Sequence, residues 1–381
     1  MFPAEIFDLI VDHLHDEPTA LRSCCLISNS WISRARRHLF LRVRLNLHGK
    51  YAIQVWMKGF PDASNSPGHH TRTLELNGVD STMDASVVAP TWVHHFGHIK
   101  ELKLERCVGG AFIPGSLVQL CGLSPTLKSL RVSHALTLLS DLFNLICSFP
   151  LLEDLGLHCI TTLGFNDKWH TSTSPRLDGS LHLTDPNPSL VRRLSDLQNG
   201  PNFAHITAKC PVESAEPVVD LISKCSVTLE SLTVALDSPS LSTFPPMSAN
   251  ALPPIAPGLL DISKVTKLKH VEFQCKELGV QWIIAALRTV KSSTNLRKTT
   301  IAFNCPLGET TRQEWQDLDH LLVRLCTSRS ICLSVKYVEI GAGFGELVQS
   351  LLPKFTSKGA VSSDQCACCG LYTIGEITLG E

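Results

Sequence analysis

Ile99-Lys100-Glu101-Leu102-Lys103-Leu104 decides how the rest of the chain reads. Its apolar residues stand first, fourth and sixth. The last two are spaced as on one face of a strand, where side chains alternate between faces. The pattern returns as Leu127-x-x-Leu130-x-Val132, Leu152-x-x-Leu155-x-Leu157, Leu229-x-x-Leu232-x-Val234, Leu268-x-x-Val271-x-Phe273 and Val335-x-x-Val338-x-Ile340. Weaker copies centre on Leu74, Leu181, Ile206 and Thr299. Centres at 74, 102, 130, 155, 181, 206 and 232 lie 28, 28, 25, 26, 25 and 26 residues apart.

Helix-like runs fill the intervals, at 116–121, 138–147, 191–197 and 217–225. A fixed period with a strand and a helix per turn predicts an irregular leucine-rich-repeat-like αβ solenoid, in which each unit buries its face only by stacking on the next. Only Leu102-x-Leu104-x-x-Cys107 carries the Asn or Cys of the strict repeat in its place. An ordinary α/β domain built of βαβ units gives similar alternation without the period. The period breaks twice. Between Leu232 and Val271 the excess holds Pro239, Pro245, Pro246, Pro253, Pro254 and Pro257 and reads as a surface loop. Between Thr299 and Val338 it reads as a longer helix over 310–325.

The first forty residues are of another kind. A helix from about Glu5 to Leu14, stepped at roughly 100° per residue, gathers Glu5, Asp8 and Asp12 on one narrow face. Ile6, Phe7, Leu9, Ile10, Val11, His13 and Leu14 fill an arc of about 200°, wider than one core contact requires. A second helix, with Thr19 as its expected cap, carries Leu21, Cys24, Cys25, Leu26 and Ile27. A third turns Trp31, Ile32, Ala35, Leu39 and Phe40 inward and Arg34, Arg36 and Arg37 outward. Three short helices are below the size that folds unaided, so the unit needs a docked neighbour or another chain. Leu41 to His48 then alternates as a half-buried strand.

This stretch resembles the F-box, in the variety common in mushroom-forming fungi. The matching residues are Pro3-Ala4-Glu5-Ile6, Leu9-Ile10, His13-Leu14, Leu21 to Leu26, Ser30-Trp31 and Ala35 to Phe40. The family usually begins Leu-Pro, and here Phe2 precedes Pro3. The resemblance implies docking on the Skp-type adaptor of a cullin ubiquitin ligase through Pro3, Ile6, Leu9, Ile10, Leu14, Leu21, Cys24 and Trp31. The fold expected is therefore α/β: a three-helix F-box over 1–40, a solenoid over 41–357 and a disordered tail over 358–381.

On such a solenoid the residue between the last two apolar positions of each unit points outward. The row is Glu75, Lys103, Arg131, Gly156, His182, Thr207, Thr233, Glu272, Thr300 and Glu339. Glu75, Lys103, Arg131, His182, Glu272 and Glu339 are its candidate contacts to an unknown target protein. The function this implies is a non-catalytic substrate-recognition subunit of an SCF-type ubiquitin ligase, with a repeat scaffold outside any ligase as the alternative.

Composition narrows the other classes. The 381 residues carry net charge −1 and only 18% charged residues, which gives no electrostatic pointer to nucleic acid or to an anionic membrane. No run of about 18 apolar residues occurs, and Glu5, Asp8 and Asp12 interrupt any signal-peptide core. Fifteen cysteines, most of them inside apolar runs, with no N-x-[ST] acceptor, point to the reducing cytoplasm or nucleus. Val338 to Gly345 contains a G-x-G-x-G turn like that of Rossmann-type methyltransferases using S-adenosylmethionine, but too little chain follows for further βα units. His94, His95 and His98 offer an i, i+4 pair without a further ligand and read as surface histidines. Cys366, Cys368 and Cys369 lack a second zinc-finger pair. No cofactor or metal is expected.

Overall fold

A computed structural model describes residues 4–47, 51–78, 90–107, 119–123, 125–163, 175–198, 200–237, 260–275, 280–290, 295–303, 312–329, 332–339, 344–357, 360–365 and 373–379. The fold is mixed α/β with mostly parallel strand pairing. The chain divides into two compact units, Met1–Leu177 and Asp178–Glu381. The sequence reading placed its main boundary at residue 40 instead. The three helices belong to the first unit.

In the first unit α1 (Ala4–His13), α2 (Pro18–Ile27) and α3 (Asn29–Leu39) enclose a small core of Val11, Leu21, Cys24 and Ala35. Leu14, Cys25, Trp31 and Leu39 pack against it, with the Phe7 and Trp31 ring centres 5.3 Å apart. Thr19 does not cap α2. The helix starts at Pro18, whose missing N–H suits a first turn. Ser28 caps α3, its Oγ accepting from Ser30 N at 3.3 Å.

Beyond α3, Phe40 meets Trp56 and Phe60 of the α4 (Tyr51–Gly59) end at 6.0 and 6.4 Å, edge-on. Trp56 continues to Phe96 at 5.1 Å, and Phe96 to Trp92 at 5.9 Å. Thr71 donates its hydroxyl to Phe40 O at 2.9 Å. This chain of rings ties the end of α3 to α4 and to the segment 90–96.

The strands β1 (Arg42–Asn46), β2 (Thr73–Asn77), β3 (Glu101–Glu105), β4 (Ser129–Ser133) and β6 (Asp154–His158) pair in parallel in that order. Leu74, Leu102, Leu130 and Leu155 are register partners, as are Leu76, Leu104, Val132 and Leu157, and all eight side chains are fully buried. The short β5 (Leu136–Leu138) and β7 (Thr161–Leu163) pair beside them, and α5 (Leu139–Cys147) buries Leu142, Phe143, Leu145 and Ile146.

The strands β2, β3, β4 and β6 are each followed by a left-handed residue: Gly78, Arg106, His134 and Cys159, with φ of 78°, 53°, 52° and 51°. The ladder continues through the bend. Gly78 N donates to Glu105 O, Arg106 N to Ser133 O and His134 N to His158 O, at 2.8 to 2.9 Å. The next residue then drops into the core, as Cys107, Ala135 and Ile160 do. Left-handed backbone costs a non-glycine residue roughly 1–2 kcal/mol. The continued ladder and the buried following side chain offset it.

In the second unit β8 (Ser180–Thr184), β9 (His205–Pro211), β10 (Ser231–Asp237), β11 (His270–Cys275), β12 (Lys298–Phe303) and β13 (Cys332–Glu339) pair in parallel. Leu181, Ile206, Leu232, Val271 and Thr299 share one register, the spacing read from sequence. The next partner is Leu333, not Val338. The helices α6 (Pro188–Ser195), α7 (Ala215–Lys224), α8 (Gln281–Arg288), α9 (Arg312–Arg329), α10 (Phe344–Leu351) and α11 (Pro353–Thr356) complete this unit.

The tail departs from its expectation. β14 (Ala360–Gln365) and β15 (Thr373–Leu379) pair antiparallel, and β15 pairs antiparallel with β13. The β-branched Val361, Thr373, Ile374, Ile377 and Thr378 favour extended backbone. The proline-rich segment 238–259, the glycine turn at 341–343 and Cys366, Cys368 and Cys369 lie outside the described residues.

Candidate functional site

The first candidate surface is on α1. Of its wide apolar arc only Val11 is fully buried, at 1% exposure. Ile6, Leu9 and Ile10 are 42, 55 and 44% exposed. They stand at i, i+3 and i+4 and so share one helix face. Soluble helices rarely leave such a stripe in water without a use for it.

The opposite face of α1 is pinned. Asp12 accepts from Arg34 Nε at 2.8 Å, from Arg34 Nη2, and from His38 Nε2 at 2.7 Å. The Arg34 guanidinium, and then His38, hold the Asp12 carboxyl far below the usual carboxylate range. Asp8 adds a looser contact to Arg34 at 3.6 Å. The acidic face and the basic side of α3 therefore meet each other, and this orients the apolar stripe away from α3.

The eight residues expected to touch an adaptor separate into groups. Ile6, Leu9 and Ile10 are exposed as expected. Leu14 and Trp31 are half-buried against the small core. Leu21 and Cys24 are corrected to core residues, 1 and 5% exposed, because α2 turns them toward Val11 and Ala35. Pro3 lies outside the described residues. Sequence reasoning missed Leu26 and Ile27, which are 89 and 66% exposed at the end of α2. Helical stepping carried the signal for Leu26, which falls on the side of α2 away from Leu21 and Cys24; Ile27, three residues beyond Cys24, is the last residue of the helix.

The second candidate surface is the row of strand residues. In the first unit Arg44, Glu75, Lys103, Arg131 and Gly156 are register partners on one face. Four of the five are charged, and neighbouring carboxylates largely match them. Arg44 Nε lies 2.9 Å from Glu75 and its Nη2 3.3 Å from Glu105. Glu101 takes Arg131 at 3.3 Å, Lys103 at 3.7 Å and the Thr73 hydroxyl at 3.1 Å. Gly156 is buried under Arg131: a Cβ there would stand 3.1 Å from Arg131 Cγ.

In the second unit His182, Thr207, Thr233, Glu272, Thr300 and Ser334 share the corresponding register. Glu272 accepts from Gln274 at 2.8 Å. Thr300 is only 4% exposed, against its expected outward position. Glu339 is corrected out of the row. Its backbone pairs with Thr373, five positions beyond Ser334, because Leu333 rather than Val338 continues the apolar register.

Other candidates carry less. His95 is not a surface residue: it is 2% exposed, and burial pushes its pKa down. His94 and His98 are exposed. Among the described residues no three His, Cys, Asp or Glu side chains gather as metal ligands. Cys107 and Cys225 are buried, and burial raises both thiols to about 12, so neither is a nucleophile near neutral pH. No helix among the described residues is long and apolar enough to cross a membrane.

Neither the protein-family models nor the curated proteins contain a match to this chain. The surfaces above are therefore read from their own chemistry.

Proposed function

We propose that the chain is the substrate-recognition subunit of an SCF-type ubiquitin ligase. Residues 1–40 act as its F-box on a Skp-type adaptor, and the strand-and-helix repeats form a leucine-rich-repeat-like solenoid that presents a target protein. The reading assigns the chain no catalytic step, and places it in the cytoplasm or nucleus.

The observation that carries the reading is the exposed stripe Ile6, Leu9 and Ile10 on a helix held rigidly by Asp12 and Arg34. Burying one such side chain on docking yields up to about 1.5–3 kcal/mol. A micromolar complex needs about 8 kcal/mol in all, so a few such anchors carry it. The Phe40–Trp56–Phe96 ring chain supports the same reading: it joins the end of α3 to α4 and to the segment 90–96, as a receptor that must hold its target in place requires. The matched charges of Arg44, Glu75, Lys103, Arg131 and Glu101 suit a polar partner surface that competes for these ion pairs.

Pull-down with a purified Skp-type adaptor tests the proposal, followed by identification of co-purifying proteins. Capture by the full chain and its loss in Ile10→Asp is the expected outcome. Capture that is absent, or indifferent to Ile10→Asp, leaves a repeat scaffold outside any ligase.

A further inference from the structure

The first unit also contains a polar cleft that the ligase reading does not use. One wall is a single face of α3, where Ser30, Ser33, Arg34 and Arg37 stand at i, i+3, i+4 and i+7. The other wall is the segment 69–72, with His69, His70 and Arg72. Three guanidinium groups line the cleft against the single carboxylate of Asp8, and Arg34 is already held by Asp12. Arg37 makes no hydrogen bond or ion pair with a described residue. Arg72 uses Nη1 on His98 O at 3.0 Å, which leaves the rest of its fork.

We infer that this cleft is a binding site for a phosphate monoester. Converging cations that outnumber their counter-charges raise one another's energy, and a bound anion relieves this. Burial first, and then the positive charges of His69, Arg37, Arg72 and Arg36, hold His70 below its ordinary pKa, as expected of a site short of negative charge. A carboxylate brings one charge and two oxygens. A phosphate monoester brings a charge of about −1.5 to −2 and three acceptor oxygens. The donors here approach from two walls and include guanidinium forks, imidazoles and the Ser30 and Ser33 hydroxyls, which suits a tetrahedral oxyanion better than a planar one.

The test uses the full chain and a fluorescein-labelled Ala-Ala-phosphoserine-Ala-Ala peptide in anisotropy titrations. Its unphosphorylated twin, inorganic phosphate and a single-stranded RNA oligonucleotide serve as parallel arms. Saturable binding of the phosphopeptide, at least tenfold tighter than its twin and weakened tenfold or more by Arg37→Gln, supports the site. Equal affinity of inorganic phosphate assigns the cleft to free phosphate, and tighter phosphopeptide binding assigns it to a phosphorylated chain. Arg37 is exposed and its side chain has no partner among the described residues, so its loss does not threaten the fold. An independent readout is the His70 titration followed by NMR, which moves upward on saturation with phosphate. Equal affinity for the two peptides, preference for RNA, or binding unchanged by Arg37→Gln together with Arg72→Gln overturns the inference. None of these results bears on the adaptor stripe of α1.

Discussion

Arg34 reaches across 22 residues of chain to close on Asp12, Nε donating at 2.8 Å, and so fixes α1 against α3. Asp12 carries the pH dependence of this contact. Its folded pKa is depressed by Arg34 and His38, so the stabilisation is fully present above the unfolded value of about 3.9 and is lost as pH falls through the folded value. Asp12→Asn is expected to lower the thermal midpoint by a few degrees at neutral pH. The gap to wild type closes only below about pH 4. Paired melts from about pH 2 to about pH 7, which span the loss of the carboxylate charge, check it.

Leu21 and Leu26 sit five residues apart on α2 with opposite fates. Leu21→Ala removes a side chain that is 1% exposed and is expected to cost about 2–5 kcal/mol. Leu26→Ser alters one that is 89% exposed and should stay within about 0.5 kcal/mol. Urea unfolding of the two variants separates a core residue from a surface residue.

Gly68 is constrained by its neighbours rather than by its backbone angle. A Cβ there would lie 2.4 Å from His95 O, and the carbonyl belongs to a buried segment that cannot easily give way. Gly68→Ala should cost about 1–3 kcal/mol by overpacking. Gly59→Ala is the control: nothing lies within 4 Å of its Cβ position, and denaturation should show no loss.

The left-handed strand ends give a prediction of each sign. Arg106 holds φ at 53° with an exposed side chain, so Arg106→Gly should raise stability by up to about 1 kcal/mol. Gly78 holds φ at 78°, and Gly78→Ala should lower it by about 1–2 kcal/mol. The unfolding free energies of the two variants relative to wild type decide the matter.

The strand register was legible because its apolar pairs are long side chains at fixed spacing: Leu74, Leu102, Leu130 and Leu155 align as their sequence interval requires. Glu339 was misplaced because the sequence offers two apolar pairs, Leu333-x-Val335 and Val338-x-Ile340, and only pairing with β12 selects the first. The strand-end bends were hidden, since Gly, Arg, His and Cys share no chemistry and the ladder alone imposes the conformation. Leu21 and Cys24 were assigned to the adaptor through the family resemblance, and only the packing of the three helices shows that they face Val11 and Ala35. The Asp12–Arg34 pin needed the relative placement of two helices, which no local pattern contains.

The exposed stripe of Ile6, Leu9 and Ile10 is the proposed adaptor contact. Calorimetric titration of the full chain with a purified Skp-type adaptor measures it directly, wild type beside Leu9→Asp, with circular dichroism to confirm that the helices persist. The account predicts saturable binding by wild type and a loss of at least tenfold in Leu9→Asp with its helicity intact. Absent binding by wild type, or equal affinity of the two proteins, would contradict it.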